Sequence, residues 1–98
     1  MKTREQIAIE CALVYRTIQD IMILQDTYHI QSWWLNSKNC RQLRHLTRNE
    51  IKSRLKKLVK NGSLLVDKKF TSTSMGTNYK LSDKNFYKMY NIKEFTLY

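Results

Sequence analysis

Proline is absent from this sequence, and glycine occurs at only two of its 98 positions, Gly62 and Gly76. This scarcity excludes proline-rich and glycine-rich linkers or spacers, which need these residues in quantity. Neither an internal repeat nor a low-complexity tract is present, and a chain of this length suits one hydrophobic core. We therefore expect residues 1–98 to form a single domain.

Long apolar runs are also missing. Glu10, Arg16 and Asp20 interrupt the apolar residues near the N-terminus, so neither a bilayer span nor a signal peptide is predicted there. Cysteine occurs only as Cys11 and Cys40, which favours a reduced compartment over a disulfide scaffold. We expect a cytoplasmic or nucleoid-associated protein without membrane contact. Small size and abundant Lys, Asn, Ile and Tyr suggest a viral or mobile-element product, in a bacterial or archaeal cell.

Acidic residues are nearly absent from one quarter of the chain. Residues 38–61 carry nine basic side chains and a single acid, Glu50, whereas residues 1–37 carry three basic and four acidic side chains. The net charge of +10 is therefore concentrated locally. Such a block indicates contact with a polyanion, although a solvated helix face is the simpler alternative.

A first helix is predicted over about residues 3–25, beginning with a T-x-x-Q capping box at Thr3 and Gln6. Apolar residues follow at helical spacing from Ile7 to Met22. A second apolar group, which includes Ile9 and Leu24, lies on the opposite side. A helix of this kind is either central to the core or shared with a partner chain, and we favour a central helix that also forms a homodimer contact.

Residues 27–37 fit either a short strand or a continuing helix, and we expect Trp33 and Trp34 to pack in the core or at its rim. The next segment carries Cys40, Leu43 and Leu46 at i, i+3 and i+6, which we interpret as a two-turn helix over about residues 39–46.

The basic helix, residues 48–61, has the clearest signals of the chain. A T-x-x-E capping box at Thr47 and Glu50 begins it, and Gly62 follows it at the position where a left-handed cap is favoured. Its apolar residues recur at the spacing of a helix that packs on a core: Ile51, Leu55, Leu58 and Val59.

A β-hairpin is predicted over residues 63–81. Its first strand is Ser63–Phe70, with Leu64, Val66 and Phe70 on one face, and its second is Asn78–Leu81. A last helix over about residues 83–91, capped by Ser82 or Asp83, carries Phe86, Met89 and Tyr90. The predicted fold class is mainly α with a small β-hairpin, α+β.

Residues 39–81 resemble the winged-helix superfamily of helix-turn-helix DNA-binding domains. The resemblance rests on the pattern I..RL..LV..G.LL, which begins at Ile51, and on the hairpin that ends Y.L at Leu81. It implies that the basic helix is a recognition helix and that the hairpin is a wing. The glycine often found in the tight turn before the recognition helix is missing here.

The residues of the basic helix support the same interpretation without the family. At 100° per residue, Asn49, Ser53, Lys56 and Lys60 lie opposite the apolar stripe, with Lys52 and Lys57 beside them. Asn can bind adenine through two hydrogen bonds, and Lys can reach guanine or a phosphate. The alternative is that every lysine contacts only phosphate. The candidate DNA-binding residues are Arg41, Arg44, Arg48, Asn49, Lys52, Ser53, Lys56, Lys57, Lys60, Lys68, Lys69, Thr73, Ser74 and Lys80.

Metal binding and catalysis are not predicted. Cys11, Cys40, His29 and His45 lack the spacing of a zinc site. The eight acids are scattered, and no glycine-rich phosphate loop or nucleophile elbow is present. We expect no cofactor, no metal and no enzyme activity.

We expect double-stranded DNA as the partner and a homodimer through the first helix and the C-terminal segment. The alternative function is a protein-interaction module that docks on an acidic protein. Its anchors would be aromatic: Trp33, Trp34, Tyr87, Tyr90 and Tyr98. RNA is less favoured, because base stacking needs exposed aromatic rings and the basic helix has none.

Overall fold

The computed structural model describes residues 2–67 and 77–93. Within them, three helices pack with one three-stranded antiparallel sheet, so the α+β class is confirmed. The elements, in chain order, are α1 (Arg4–Gln25), β1 (Ile30–Gln31), a 3-10 turn (Ser32–Trp34), a second 3-10 turn (Arg41–Leu43), α2 (Arg48–Lys60), β2 (Leu64–Val66), β3 (Asn78–Leu81) and α3 (Lys84–Met89).

The two predicted capping boxes are confirmed. In α1 the Thr3 hydroxyl accepts from the Gln6 N–H and the Gln6 side chain accepts from the Thr3 N–H. Thr47 and Glu50 form the same pair of bonds at the start of α2, at 2.9 and 3.1 Å. Both boxes satisfy N–H groups that have no partner inside their helix.

Gly62 ends α2 as the sequence predicts. Its φ is 85°, a left-handed conformation that glycine adopts without a Cβ penalty. The Gly62 N–H donates to the Val59 carbonyl (3.1 Å) and the Ser63 N–H to the Leu58 carbonyl (2.9 Å). This pair of bonds is a Schellman motif, and it directs the chain into β2.

The segment between α1 and α2 differs from the predicted short helix over 39–46. The bonds are of the i→i+3 type: the Leu43 N–H donates to the Cys40 carbonyl (3.0 Å) and the Leu46 N–H to the Leu43 carbonyl (3.0 Å). Spacing by three is the period of a 3-10 turn, in which side chains at i and i+3 lie above one another. Cys40, Leu43 and Leu46 are accordingly all buried, and in place of the predicted two-turn helix the segment contains a 3-10 turn at Arg41–Leu43.

In the segment 27–37, which fits either a strand or a helix by sequence, the chain has left α1 and forms a short strand. Asp26 ends α1 with a φ of 49°, and β1 then pairs with β3 with Ile30 opposite Tyr79. Trp34 packs against the core, whereas Trp33 is 47% exposed. The continuing helix is therefore excluded, and the short strand is confirmed.

The predicted hairpin is confirmed where the structure describes it. β2 and β3 are antiparallel, with Leu64 opposite Leu81 and Val66 opposite Tyr79, and the strand order is β1-β3-β2. The predicted strand residue Phe70 lies outside the described residues. A close contact between His29 Nδ1 and Asp67 Oδ2 (2.8 Å) connects the segment before β1 to the end of β2.

The last helix is shorter than predicted. Asp83 caps it by accepting from the Asn85 N–H (3.0 Å). Of its three predicted apolar residues only Phe86 is buried, together with Tyr87, whereas Met89 and Tyr90 are exposed. A six-residue helix has fewer than two turns, too few for a stripe of apolar residues to define its inner face.

The core lies between α1, α2 and the sheet. From α1 it takes Val14, Ile18 and Met22, all fully buried. The second apolar group of α1 is largely outside it, since Ile9 and Leu24 are 68% and 84% exposed. No helix in residues 2–67 and 77–93 combines the length and apolar character of a bilayer span.

Candidate nucleic-acid interface

Helix α2 separates an apolar inner side from a polar outer side. Ile51, Leu55 and Leu58 are at most 4% exposed, which fixes how the helix is rotated against the core. Seven residues point away from that core and are all exposed. These seven residues, the outer face of α2, are Arg48, Asn49, Lys52, Ser53, Lys56, Lys57 and Lys60.

The outer face carries five cations and no carboxylate. Glu50, the one acid of α2, is half-buried and forms an ion pair with Lys2. The Lys2 ammonium, helped by the Thr47 N–H, lowers the pKa of Glu50 to about 2. Glu50 is therefore ionised at neutral pH and already neutralised by a lysine from outside the helix, so it offsets none of the charge on the outer face.

Arg54 does not belong to the positive surface, although it is one of the nine basic residues of the block. It is only 6% exposed, and its Nη2 and Nε lie 2.8 and 3.0 Å from Oε1 of Glu10 in α1. Lys2 also pairs with Glu10. The ammonium of Lys2, followed by Arg54, lowers the pKa of Glu10 against the opposing effect of desolvation. Lys2, Glu10, Arg54 and Glu50 thus fasten α2 to α1.

The cations that flank the outer face are partly described. Arg41 and Arg44 are exposed on and just after the second 3-10 turn, immediately before α2. Arg44 Nε donates to Nε2 of His45 (3.2 Å). Lys80 is half-buried on β3. The remaining candidates lie outside the described residues: Lys68, Lys69, Thr73 and Ser74.

A small cavity adjoins one flank of the outer face, and the sequence did not reveal it. Its volume is about 190 Å³. Residues that follow β1 form one side, and residues of α2 form the other, so the exposed Trp33 lies next to two cations. The lining residues are Ser32, Trp33, Leu35, Asn36, Arg48, Ile51, Lys52 and Leu55. The sequence signal for this site is the Trp33-Trp34 pair, of which only one ring can enter the core.

The aromatic patch expected for a protein-interaction module is not assembled in the described residues. Tyr87 is 4% exposed and Trp34 is half-buried, so neither can anchor a partner. Trp33 and Tyr90, each 47% exposed, remain available. Tyr98 lies outside the described residues.

A larger groove of about 780 Å³ runs between the first half of α1 and the end of α2. Its apolar lining includes Ile7, Cys11 and Leu58, and its charged lining residues are all basic: Arg4, Lys57 and Lys60.

The candidate metal ligands do not converge. Within the described residues no three His, Cys, Asp or Glu side chains are grouped as a metal site. Cys40 is buried, and burial raises the pKa of its thiol, whereas Cys11 is half-buried in the groove. His29 pairs with Asp67.

The outer face of α2 and the Trp33 cavity share Arg48 and Lys52, and the flanking arginines precede α2 in the sequence. Comparison with known proteins found no match to any family model, any curated protein or any solved structure.

Proposed function

We propose that this chain is a double-stranded DNA-binding protein of the winged-helix type, a small transcriptional regulator. The observation that carries the proposal is the outer face of α2, with its five exposed cations and no carboxylate. A duplex presents two lines of phosphates, and neutralising them releases condensed counterions. A helix of this width fits the major groove.

The order of elements supports the proposal. A helix, a tight turn, a capped basic helix and an antiparallel hairpin follow one another as the resemblance implies. The ion pairs from Glu10 and Glu50 hold α2 against α1 while its opposite side stays free. In this arrangement α2 enters the major groove and the hairpin lies along the backbone.

Different residues of the outer face have different roles. Asn49, Lys52, Ser53 and Lys56 are spaced as one strip along the helix and face the base edges. The other cations contact phosphates, which set the register and supply most of the affinity. They are Arg41, Arg44, Arg48, Lys57 and Lys60.

Fluorescence anisotropy with a labelled random duplex across a salt series tests the proposal. With about six phosphate contacts, the slope of log affinity against log salt is expected near −5. We expect Lys52→Glu with Lys56→Glu to weaken binding about tenfold or more.

The matched control for that variant is Lys84→Glu with Lys88→Glu. These lysines are also exposed and also four residues apart, but they lie on α3. Both variants change the net charge by the same amount. Equal losses of affinity in the two variants would therefore show that only the overall charge matters, and not its position on α2. Unchanged affinity in the α2 variant would contradict the proposal.

Asn49→Ala separates base contact from phosphate contact. We expect it to reduce discrimination between a selected site and a random duplex, because an adenine contact carries sequence information. An equal loss of affinity for both duplexes would assign Asn49 to the backbone.

The groove between α1 and α2 favours one second candidate function, docking of an acidic protein. Its apolar lining and its three cations suit an amphipathic helix with acidic edges. Ala8 lines the groove and is exposed. Ala8→Phe would block the binding of such a partner and leave duplex binding unchanged. The Lys52/Lys56 variant would do the opposite, weakening duplex binding and leaving the groove open.

A further inference from the structure

Trp33 is exposed and yet held in place. Nearly half of its surface, 47%, contacts solvent. Its Nε1 donates to Oε1 of Gln31, and its ring forms an edge-type contact with the ring of Trp34, with centroids 5.5 Å apart and an angle of 77° between the ring planes. Asn36 Nδ2 donates to the Trp33 carbonyl (2.9 Å). Neighbouring residues therefore hold both the exposed indole ring of Trp33 and its backbone in place.

The cavity beside Trp33 combines three kinds of surface. The indole forms an aromatic wall, the buried side chains of Leu35, Ile51 and Leu55 are apolar, and Arg48 and Lys52 are exposed cations. No carboxylate is among its lining residues. At about 190 Å³ the cavity is smaller than the ~300–1,000 Å³ of sites for drug-sized ligands, so it fits a single flat ring system.

An aromatic platform next to cations is the combination that binds unpaired nucleotides. The base stacks on the ring, and the flanking phosphates pair with the cations. A base inside a duplex cannot use such a platform, since both of its faces are already covered by neighbouring base pairs. Within a duplex only a base of a disrupted pair offers a free face, and a single-stranded extension offers separate bases that can enter a cavity of this size.

We infer that the Trp33 cavity binds one unpaired base of the DNA held on α2, with Trp33 as the stacking platform and Arg48 on the adjacent phosphate, while Lys52, which also lines the cavity, faces the base edges of the duplex. The inference rests on the proposed duplex binding, because both cations also belong to the outer face of α2. It adds a preference for duplexes that carry a single-stranded extension over blunt duplexes.

Three probes test the inference by anisotropy: a blunt duplex, the same duplex with a short thymidine overhang, and that duplex with an abasic overhang. The abasic strand keeps the phosphates and removes the bases. We expect the thymidine overhang to bind about tenfold more tightly than the blunt duplex, from stacking of one base, and the abasic overhang to lose most of that gain.

Three variants identify the ring that is responsible. Trp33→Ala should abolish the gain from the overhang, whereas Trp33→Phe should retain part of it, because phenylalanine can still stack. Tyr90→Ala is the matched control, since Tyr90 is also 47% exposed but lies at the end of α3. Circular dichroism of each variant checks that it is folded.

The outcomes for the two proposals differ. Blunt-duplex binding with no gain from the overhang, or a gain that persists in Trp33→Ala, overturns the stacking site and leaves the proposed function standing. Trp33-dependent binding of the overhang without blunt-duplex binding supports the stacking site and overturns the proposed function. Binding of none of the probes overturns both.

Discussion

Tyr87 connects three parts of the fold through one side chain. Its hydroxyl accepts from the Leu81 N–H of β3 (2.7 Å) and donates to the Tyr28 carbonyl before β1 (3.1 Å). Its ring stacks on that of Tyr28 with centroids 3.9 Å apart and an angle of 16°. Since Tyr87 belongs to α3, it fixes this helix to the sheet.

Tyr87→Phe is expected to lower the free energy of unfolding by about 1–3 kcal/mol, because it removes the hydroxyl from two buried backbone partners and keeps the ring. Urea denaturation measures the change. Tyr90→Phe, at an exposed position, should stay within about 0.5 kcal/mol of the parent protein. Equal midpoints for the parent and Tyr87→Phe would show that the hydroxyl contributes nothing.

Tyr87 also shows where residue-level prediction from the sequence ends. The sequence places Phe86, Met89 and Tyr90 on one helical face, but it does not show that Tyr28, 59 residues away, provides a stacking partner for Tyr87. A tertiary contact, and not the local sequence, therefore decides that the Tyr87 side chain is buried. The same holds for Trp33, whose cationic neighbours come from α2.

Among the elements, those built on local bonds were predictable. Each capping box spans four residues, and Gly62 acts on the turn that contains it, so short patterns reveal both ends of α2. The 3-10 turn over Arg41–Leu43 is also local, and its spacing by three predicted a helix there, though a longer one than the three residues observed. The Glu10–Arg54 pair joins residues 44 apart, a separation at which no local sequence pattern is informative.

The ion pairs between α1 and α2 make stability depend on pH. The pKa values of Glu10 and Glu50 are lowered from 4.5, that of Glu50 to about 2, so the folded protein binds protons less readily than the unfolded chain. Their contribution is complete above about pH 4.5 and is lost as the pH falls towards 2. Acidification should therefore loosen the docking of α2.

Glu50→Gln isolates this effect, because glutamine keeps the capping bond and removes the charge. We expect the variant to be less stable than the parent at pH 7, with a difference that shrinks progressively below about pH 4.5. Urea midpoints across that range provide the measurement. Glu5→Gln, at an exposed first-turn position of α1, is the control. A pH-independent difference would contradict the assignment.

On the scale of the whole molecule, the homodimer stays a prediction. Apolar side chains remain exposed on both elements that it would use, Leu24 on α1 (84%) and Met89 on α3 (75%). A cavity of about 240 Å³ between these helices is lined by Ile23, Phe86 and Met89 and also by Arg16 and Asp20. Charges of both signs at one site suit a two-fold interface, in which each surface meets a copy of itself.

Sedimentation equilibrium at tens of micromolar tests the dimer. We expect the parent protein to sediment as a dimer and Met89→Asp to sediment as a monomer, because the apolar contact is lost and a carboxylate in its place must give up its hydration on association. Lys93→Asp, an exposed position beyond α3, is the control for added acidity. A monomeric parent protein would exclude this interface.

The outer face of α2 has a consequence for how such a protein can change over generations. Asn49, Lys52 and Lys56 form no side-chain hydrogen bond or ion pair with the rest of the described chain, while the neighbouring Ile51, Arg54 and Leu55 hold the helix in place. Under the proposed function, substitutions at the first three positions alter which DNA the surface binds and leave folding intact. On that proposal, descendants of this chain can acquire new target sequences without passing through unstable intermediates.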